Sequence, residues 1–305
     1  MGSWAPLPYE PWRETRDTLH AHTQVLGKLA ARLAPPEPEL QHAALRLTAR
    51  GFETAPLPAP NGSGAIVLSI DLHHHRTVIE HSDGPGAAVT LVPDRSVGAV
   101  TRELLEAVAR MAGPVEFDSR PQETPWSTPL DDDDEHARFD PDAVAAYLAA
   151  ATRAAAVLAR LRAPFRGRST PVNAWWGSFD LAVSLFSGEA AQPPSSDFIM
   201  RNAMDAQEVA AGWWPGDHRY PRAAFYAYAH PAPPGYDTAH LEPSSARWEP
   251  ALGEYVLDWD DVCASADPEA TALDFVRSAV RHSCTVCGWD PGLSASLEGS
   301  PPPVR

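Results

Sequence analysis

The chain has 305 residues, and 24 basic side chains against 40 acidic ones give a net charge of −16 at pH 7. A hydrophobic fraction of 44% is sufficient for a folded core, and the length fits one large domain or two small ones. The acidic balance argues against a nucleic-acid-binding protein and against docking on anionic membranes, because both require a surplus of basic side chains.

The sequence contains no obvious targeting or membrane segment. We expect neither a secretory signal nor a membrane span, since no basic-then-apolar start and no run of about 18 uninterrupted apolar residues occur. Three cysteines do not make a disulfide framework in a chain of this length. We therefore expect a cytoplasmic protein. Cys284 and Cys287 have the spacing of a redox pair or half a zinc site, but we interpret them as ordinary thiols because a second pair is missing.

The first half predicts helix, strands and helix in that order. Apolar periodicity predicts a helix over Pro11–Ala34, which Pro35 and Pro36 end. A second helix is predicted over Arg95–Met111, and Val115–Phe117 is a further candidate strand. Between the helices, short alternating segments bounded by turn residues predict antiparallel strands at Ala44–Arg50, Phe52–Leu57, Ala65–Leu72, Arg76–His81 and Ala87–Val92.

Residues 119–139 are rich in Pro, Ser, Thr and acids, and they predict a solvated linker; a cation site at Asp131–Glu135 is the alternative. Asp140 can then cap a helix that runs to Arg162. A last helix is predicted from Pro268 to His282. Between these two helices the predicted strands are Val172–Ala174, Ser178–Phe186, Glu208–Trp213, Ala224–His230 and Glu254–Trp259.

The two halves together predict an α+β protein with two similar helix-flanked antiparallel sheets. An internal duplication and the ordinary recurrence of α+β units both explain this likeness. The predicted organisation is an N-terminal subdomain over residues 1–118, a linker over 119–139, a C-terminal subdomain over 140–290 and a disordered tail over 291–305.

A polar stripe on the first helix is the first candidate site. Residues four apart share a helix face, so His20, Gln24 and Lys28 lie together. Lys28 is the only lysine of the chain, and an ammonium can do what guanidinium cannot, because its pKa falls on burial. Gly27 weakens the helix and predicts the close approach of a neighbour. The stripe is either a functional surface or the solvent-facing side of an amphipathic helix.

The segment from Trp176 to Asp180 is the second candidate. In a strand, Trp176, Ser178 and Asp180 would point to one side and place a carboxylate on an aromatic face. A buried acid must be paired, or its pKa rises. The second half is also rich in aromatic residues, which is typical of small-molecule pockets or of a Trp-rich core. Further candidates there are Glu208, Trp213, Tyr226 and Tyr228.

A metal site is not predicted. His73, His74 and His75 follow one another in a predicted turn, where three adjacent side chains cannot all face one ion.

Seven motifs follow one another along the chain: Thr18-Leu19-His20, Thr23-Gln24, Gly27-Lys28, Leu47–Gly51, Trp176–Ala182, Gly212–Gly216 and Tyr226-Ala227-Tyr228. Together they resemble a bacterial family of proteins, domain-of-unknown-function family 5996, over about Trp4 to Trp289. The resemblance implies one continuous unit and supplies no reaction. The sequence departs from the family pattern at Asn173 and Gln207, where the resemblance predicts histidines. If those histidines form a catalytic or metal pair in the family, that role is lost or altered here.

These patterns predict a protein that binds a small anionic or carbonyl metabolite in a central aromatic-lined pocket, where the first helix meets strand 176–186. Lys28 and His20 would bind the ligand, and Asp180 or Glu208 would act as acid or base. A non-catalytic ligand- or partner-binding module, with the same residues in a buried structural network, stays open. The sequence identifies no cofactor or oligomeric state. The predicted ligand-binding residues are Gln24, Arg50, Trp176, Ser178, Trp213, Tyr226 and Tyr228.

Overall fold

The structure is a computed structural model that describes residues 4–297. It confirms an α+β protein with two antiparallel sheets of six strands each. The chain divides into two compact units. The N-terminal unit comprises Glu10–Ala149 and Ala174–Phe179, and the described residues of the C-terminal unit are 4–9, 150–173 and 180–297. The boundary between the units therefore does not fall in residues 119–139. After the chain has entered the C-terminal unit, the short segment Ala174–Phe179 belongs to the N-terminal unit again.

The N-terminal unit contains helices α1 (Tyr9–Leu33) and α2 (Val97–Ala112) and a short 3-10 helix over Pro38–Ala43. Helix α2 begins at Ser96, whose side chain accepts from the Ala99 N–H, and it ends at Gly113 with a φ of 97°. The strands are β1 (Arg46–Thr48), β2 (Gly51–Glu53), β3 (Leu57–Pro58), β4 (Ala65–Asp71), β5 (Arg76–His81) and β6 (Gly86–Thr90). Their order is β1-β2-β4-β5-β6, with β3 paired to β4, and α2 packs on β5 and β6.

Residues 113–140 contain no helix or strand, so the strand predicted at Val115–Phe117 is not formed. The segment 119–139, predicted as a solvated linker, is mostly exposed or half-buried, but it buries Leu130 and Asp133 completely. The segment packs because it completes the hydrogen bonding of α2: the Val97 and Gly98 N–H groups donate to the carbonyl oxygens of His136 and Asp133, both at 2.8 Å.

The C-terminal unit contains most of helix α3 (Pro141–Arg162) and the second sheet. One sheet face carries the apolar side chains of alternate residues, and a long helix, α6, packs on three of the strands. The strands are β7 (Asn173–Trp175), β8 (Asp180–Ala190), β9 (Ala206–Trp214), β10 (Ala224–His230), β11 (Arg247–Glu249) and β12 (Glu254–Asp258), in the order β11-β12-β10-β9-β8-β7. The remaining helices are α4 (Phe198–Ala203), α5 (Trp259–Ala264), α6 (Pro268–Val286) and α7 (Pro291–Ser296), with a 3-10 helix at Tyr236–Thr238.

Two local predictions differ from the structure. Residues 176–179 form a turn with Phe179 at a φ of 59°, so Trp176, Ser178 and Asp180 do not share a strand face. Helix α7 occupies Pro291–Ser296, where the start of a disordered tail is predicted, and residues 298–305 lie outside the described part of the chain. Within residues 4–297, α3 alone is long and apolar enough to cross a membrane, and 50% of that stretch is buried, a combination that core helices also show.

Candidate functional site

The polar stripe of α1 is buried and longer than the sequence analysis predicts. His20, Gln24 and Lys28 are 2%, 0% and 7% exposed, so the stripe is not the solvent-facing side of the helix. Trp12 and Arg16 extend it by two further steps of four residues and are also buried. All five residues belong to the N-terminal unit.

His20 is held in one tautomer. Its Nε2 lies 2.9 Å from the carbonyl oxygen of Trp176 and 3.0 Å from that of Gly177. Because carbonyls only accept hydrogen bonds, these two shorter contacts assign the proton to Nε2, and the Gln24 amide nitrogen, 3.3 Å from Nε2, donates to the Gln122 carbonyl instead. Burial, followed by the charge of Arg16, holds the His20 pKa well below its usual value, so the ring is neutral. Nδ1 therefore presents a bare lone pair, and it makes no hydrogen bond within the described residues.

Gly27 is explained by Trp176, as the sequence analysis predicts for a close neighbour. A Cβ at Gly27 would lie 1.9 Å from Trp176 Cδ1, so the indole rests directly on the helix backbone. The indole Nε1 donates to the Ala43 carbonyl at 3.1 Å, and Lys28 Nζ lies 5.5 Å from the ring centroid. Burial lowers the Lys28 pKa, although Asp118 acts in the opposite direction. In the described part of the chain, Lys28 forms no salt bridge.

Phe179 lies at the centre of the aromatic residues against the stripe. Its ring stacks on His20 at 5.1 Å and on Tyr147 at 5.3 Å between centroids. The guanidinium carbon of Arg16 is 5.3 Å from the same ring. Phe179 adopts a positive φ, which is uncommon for a bulky residue and concentrates at functional positions. The turn of residues 176–179 thus delivers both the ring and the carbonyls that fix His20.

Sequence reasoning missed a second histidine, which lies in the segment interpreted as a linker. Asp133 Oδ1 accepts the N–H groups of Glu135 and His136 at 3.0 Å each, and its Oδ2 lies 2.7 Å from His136 Nδ1. Burial alone would lower the His136 pKa, but the hydrogen bond to Asp133 and the negative charge outweigh burial and raise it. The Trp126 ring lies between the two histidines, 4.7 Å from the His136 ring and 5.4 Å from that of His20.

Gln24 fixes this segment to the helix. Its amide Nε2 donates to the Gln122 carbonyl at 2.8 Å, and its Oε1 accepts from the Gln122 N–H at 2.9 Å. The Gln24 side-chain amide therefore pairs with both the N–H and the C=O of Gln122, as the backbone of a neighbouring β-strand would. Because Trp126 and His136 follow in the same segment, Gln24 positions them and is not expected to touch a ligand.

Four buried nitrogens in this region make no hydrogen bond with any residue between 4 and 297: Trp12 Nε1, Arg16 Nε, His20 Nδ1 and Trp126 Nε1. Buried polar atoms in proteins are almost always paired, so such a concentration in one place requires an explanation. We call the group formed by Arg16, His20, Trp126, Asp133, His136 and Phe179 the α1 site.

Other predicted residues lie together in the C-terminal unit. The Tyr226 hydroxyl donates to Asp180, and the Tyr228 hydroxyl donates to Glu208 at 3.1 Å. Burial and then the charge of Asp180 raise the pKa of the nearby Glu254 to about 8. This is a compact cluster of acids and tyrosines on the sheet face opposite α6, distinct in composition from the α1 site.

Small residues of the sheet lie beneath the tyrosine rings on that face. A Cβ at Gly212 would lie 2.3 Å from the hydroxyl oxygen of Tyr226, so only glycine allows the ring to lie across β9. Trp213, the next residue, points to the other face and packs on Trp259 with the centroids 5.5 Å apart. Trp213 is therefore not beside Tyr226 and Tyr228.

The predicted residues thus fall into two groups, one in each unit. His20, Gln24, Lys28 and Trp176 are in the first, and Asp180, Glu208, Tyr226 and Tyr228 are in the second. Arg50 is exposed and pairs with Glu53 at 3.4 Å, and Ser178 is half-buried in the turn before β8. The central pocket lined by both groups stays a prediction.

Metal and thiol chemistry find little support in residues 4–297. No group of three His, Cys, Asp or Glu side chains there is arranged to hold a metal ion. The turn histidines bond locally, His74 to Asp71 and His73 to the Ala49 carbonyl. Cys284 lies within α6, and burial raises its thiol pKa to about 12, the opposite of what a redox-active cysteine requires.

One sequence signal could have identified the missed residues. The spacing Asp133-x-x-His136 also occurs as Asp71-x-x-His74, where the hydrogen bonds are the same and the His Nδ1 lies 2.8 Å from the carboxylate. The difference is exposure: the His74 side chain is 67% exposed and that of His136 is 16%. Local sequence encodes the pair, whereas burial comes from the fold.

Comparisons with known proteins supply a family and no reaction. A model described as a family of unknown function (DUF5996) matches residues 4–296, which is nearly the whole chain. No curated protein and no solved structure matches the chain. The match spans both units, including every residue of the α1 site. The chain therefore belongs to the DUF5996 family.

Proposed function

We propose that the α1 site performs acid–base catalysis on a small molecule, with His136 as proton donor and His20 as proton acceptor. The observation that carries this proposal is that two imidazoles pack against one indole while their pKa values are displaced in opposite directions. Such displaced pairs identify the acid and the base in many enzymes.

Each histidine has the surroundings that its role needs. The carboxylate of Asp133 holds Nδ1 of His136, which orients the ring and leaves Nε2 to deliver a proton. The His136 side chain is 16% exposed, so it can regain a proton from solvent. His20 has its Nε2 proton committed to backbone carbonyls, and Nδ1 remains as the accepting atom.

The low pKa of His20 also indicates the charge of the substrate. After burial, the positive charges of Arg16 and His136 lower this pKa. An anionic substrate would offset these charges and raise the basicity of His20 on binding. The base would then become effective only when substrate is present.

The alternative function is a non-catalytic module in which the same residues form a structural network. The double hydrogen bond between Gln24 and the Gln122 backbone favours this alternative, since it does nothing but fix the segment. Catalysis and a structural network differ in one respect: only catalysis brings the carbon-bound protons of a bound molecule into exchange with solvent.

The test is solvent labelling. The protein is incubated with a cell metabolite extract in deuterium oxide, and mass spectrometry follows deuterium incorporated at carbon. The wild type is compared with His136→Gln and with His74→Gln, a matched control that loses the same kind of Asp–His pair at an exposed position. We expect label with the wild type and the control and its loss in His136→Gln. Label no greater than in a protein-free sample, or equal label with His136→Gln, would refute the proposal.

A further inference from the structure

We infer that the α1 site takes a small 2-hydroxycarboxylate, a molecule with a carboxylate and a hydroxyl on adjacent carbons. The choice of site rests on the proposed function, whereas the ligand class rests on four unpaired nitrogens. These atoms define what a ligand must donate and what it must accept.

Three of the unpaired atoms are donors: Trp12 Nε1, Arg16 Nε and Trp126 Nε1. Each can only donate, so a ligand that pairs with more than one of them must accept several hydrogen bonds. A carboxylate has two oxygens with about four accepting positions and meets this need. The other end of the Arg16 guanidinium already donates from Nη1 to Asp17 at 2.8 Å, which leaves the Nε edge for a ligand.

The fourth unpaired atom, His20 Nδ1, is an acceptor. The opposite tautomer would turn Nε2 into an acceptor facing the carbonyls of Trp176 and Gly177, so Nδ1 cannot become a donor without losing both hydrogen bonds. The ligand must therefore bring a proton of its own. A hydroxyl supplies that proton without adding charge.

Charge favours an anion over a neutral polyol. Arg16 and His136 together impose a positive potential on His20. The Arg16 guanidinium and the His20 ring both lie against Phe179, at 5.3 Å and 5.1 Å from its centroid, so one small ligand can contact both. A carboxylate and a hydroxyl on adjacent carbons suit such a ligand.

The probe is glycolate, with acetate and methoxyacetate as matched controls that lack the hydroxyl or its proton. Binding is followed by ¹⁵N NMR of the Trp126 indole N–H and by calorimetry. A site that hydrogen-bonds a hydroxyl rejects analogues without it, so we expect acetate and methoxyacetate to bind at least about tenfold more weakly. Trp126→Phe keeps an aromatic ring and removes the donor, and it should weaken glycolate binding about tenfold or more.

Arg16→Lys should weaken glycolate to a similar degree, because lysine cannot place a donor where Nε is. Arg13→Lys on the exposed side of α1 is the control and should change nothing, since the Arg13 side chain is 53% exposed. Equal binding of acetate and glycolate, binding unaffected by Trp126→Phe and Arg16→Lys, or no binding of glycolate would overturn the inference. Glycolate binding without dependence of deuterium labelling on His136 would instead leave this inference standing and remove the proposed catalysis.

Discussion

Gly27→Ala should destabilise the protein even though alanine is the better helix former. The new methyl carbon would lie 1.9 Å from Trp176 Cδ1 and 2.1 Å from Cγ, whereas carbon atoms in contact are about 3.5–4.0 Å apart. The indole would have to move by nearly 2 Å or the helix would have to bend. Neither is easy, because Trp176 is 2% exposed and tied to the Ala43 carbonyl.

The magnitude follows from two opposing effects. Replacing glycine by alanine within a helix stabilises it by about 1 kcal/mol. Overpacking costs about 1–3 kcal/mol, and partial exposure of the Trp176 indole adds to that, since complete removal of a buried Trp costs about 3–5 kcal/mol. We therefore expect Gly27→Ala to lower the free energy of unfolding by about 2–4 kcal/mol.

The assay is urea unfolding of a double-mutant cycle between Gly27→Ala and Trp176→Ala, with sucrose in all samples to keep the weakest variant folded. Without the indole, the substitution at residue 27 should stabilise by about 1 kcal/mol, so its sign reverses. A similar loss in both backgrounds would show that Trp176 is not the reason for the glycine and would refute the reasoning.

Three further predictions concern charge and pH. Lys28→Met should leave the free energy of unfolding in urea unchanged or raise it by about 1 kcal/mol, because burial lowers the Lys28 pKa and the substitution breaks no salt bridge with a described residue. A fall of about 2 kcal/mol or more would reveal a structural role of Lys28. Because the Glu254 pKa rises from 4.5 to about 8 on folding, stability falls as pH rises through that window, and Glu254→Gln should remove this fall in melting temperature; an unchanged slope would argue against it. The His22 pKa is lowered from 6.5 to about 4, so stability should fall by about 3 kcal/mol as pH drops through that range, and His22→Asn should flatten the curve if His22 is the cause.

The regular elements of this fold are predictable from local patterns. The strands Arg76–His81 and Ala224–His230 begin and end as predicted, because turn residues bound each of them. The close neighbour at Gly27 is likewise predictable from local sequence, because a glycine inside a helix destabilises it and is expected where another residue packs closely on the backbone. An origin of the two similar sheets by internal duplication stays a prediction.

The turn of residues 176–179 could not be predicted in the same way. Trp176 and Phe179 are strand-forming residues, and the pattern favours a strand. In the structure Phe179 takes a positive φ and stacks between His20 and Tyr147. These partners come from distant parts of the sequence, so only tertiary packing, which overrides local preference, explains the turn.

The missed half of the α1 site has a similar cause. Asp133 stands in a run of acids, and acidic runs are usually solvated. Its burial depends on Val97 and Gly98, whose N–H groups at the start of α2 bind the carbonyl groups of the segment. No local pattern links these residues to the acidic run, so its composition favoured a linker where the fold forms a site.

The central claim is that the pKa values of His136 and His20 are displaced in opposite directions, and ¹⁵N NMR titration of the histidine side chains measures this directly. Variants His136→Gln and His20→Asn assign the signals. We predict that His136 titrates above 6.5, while His20 stays neutral with its proton on Nε2 to well below 6.5. Titration of His20 near 6.5, a proton on its Nδ1, or a His136 pKa below that of His20 would contradict the account.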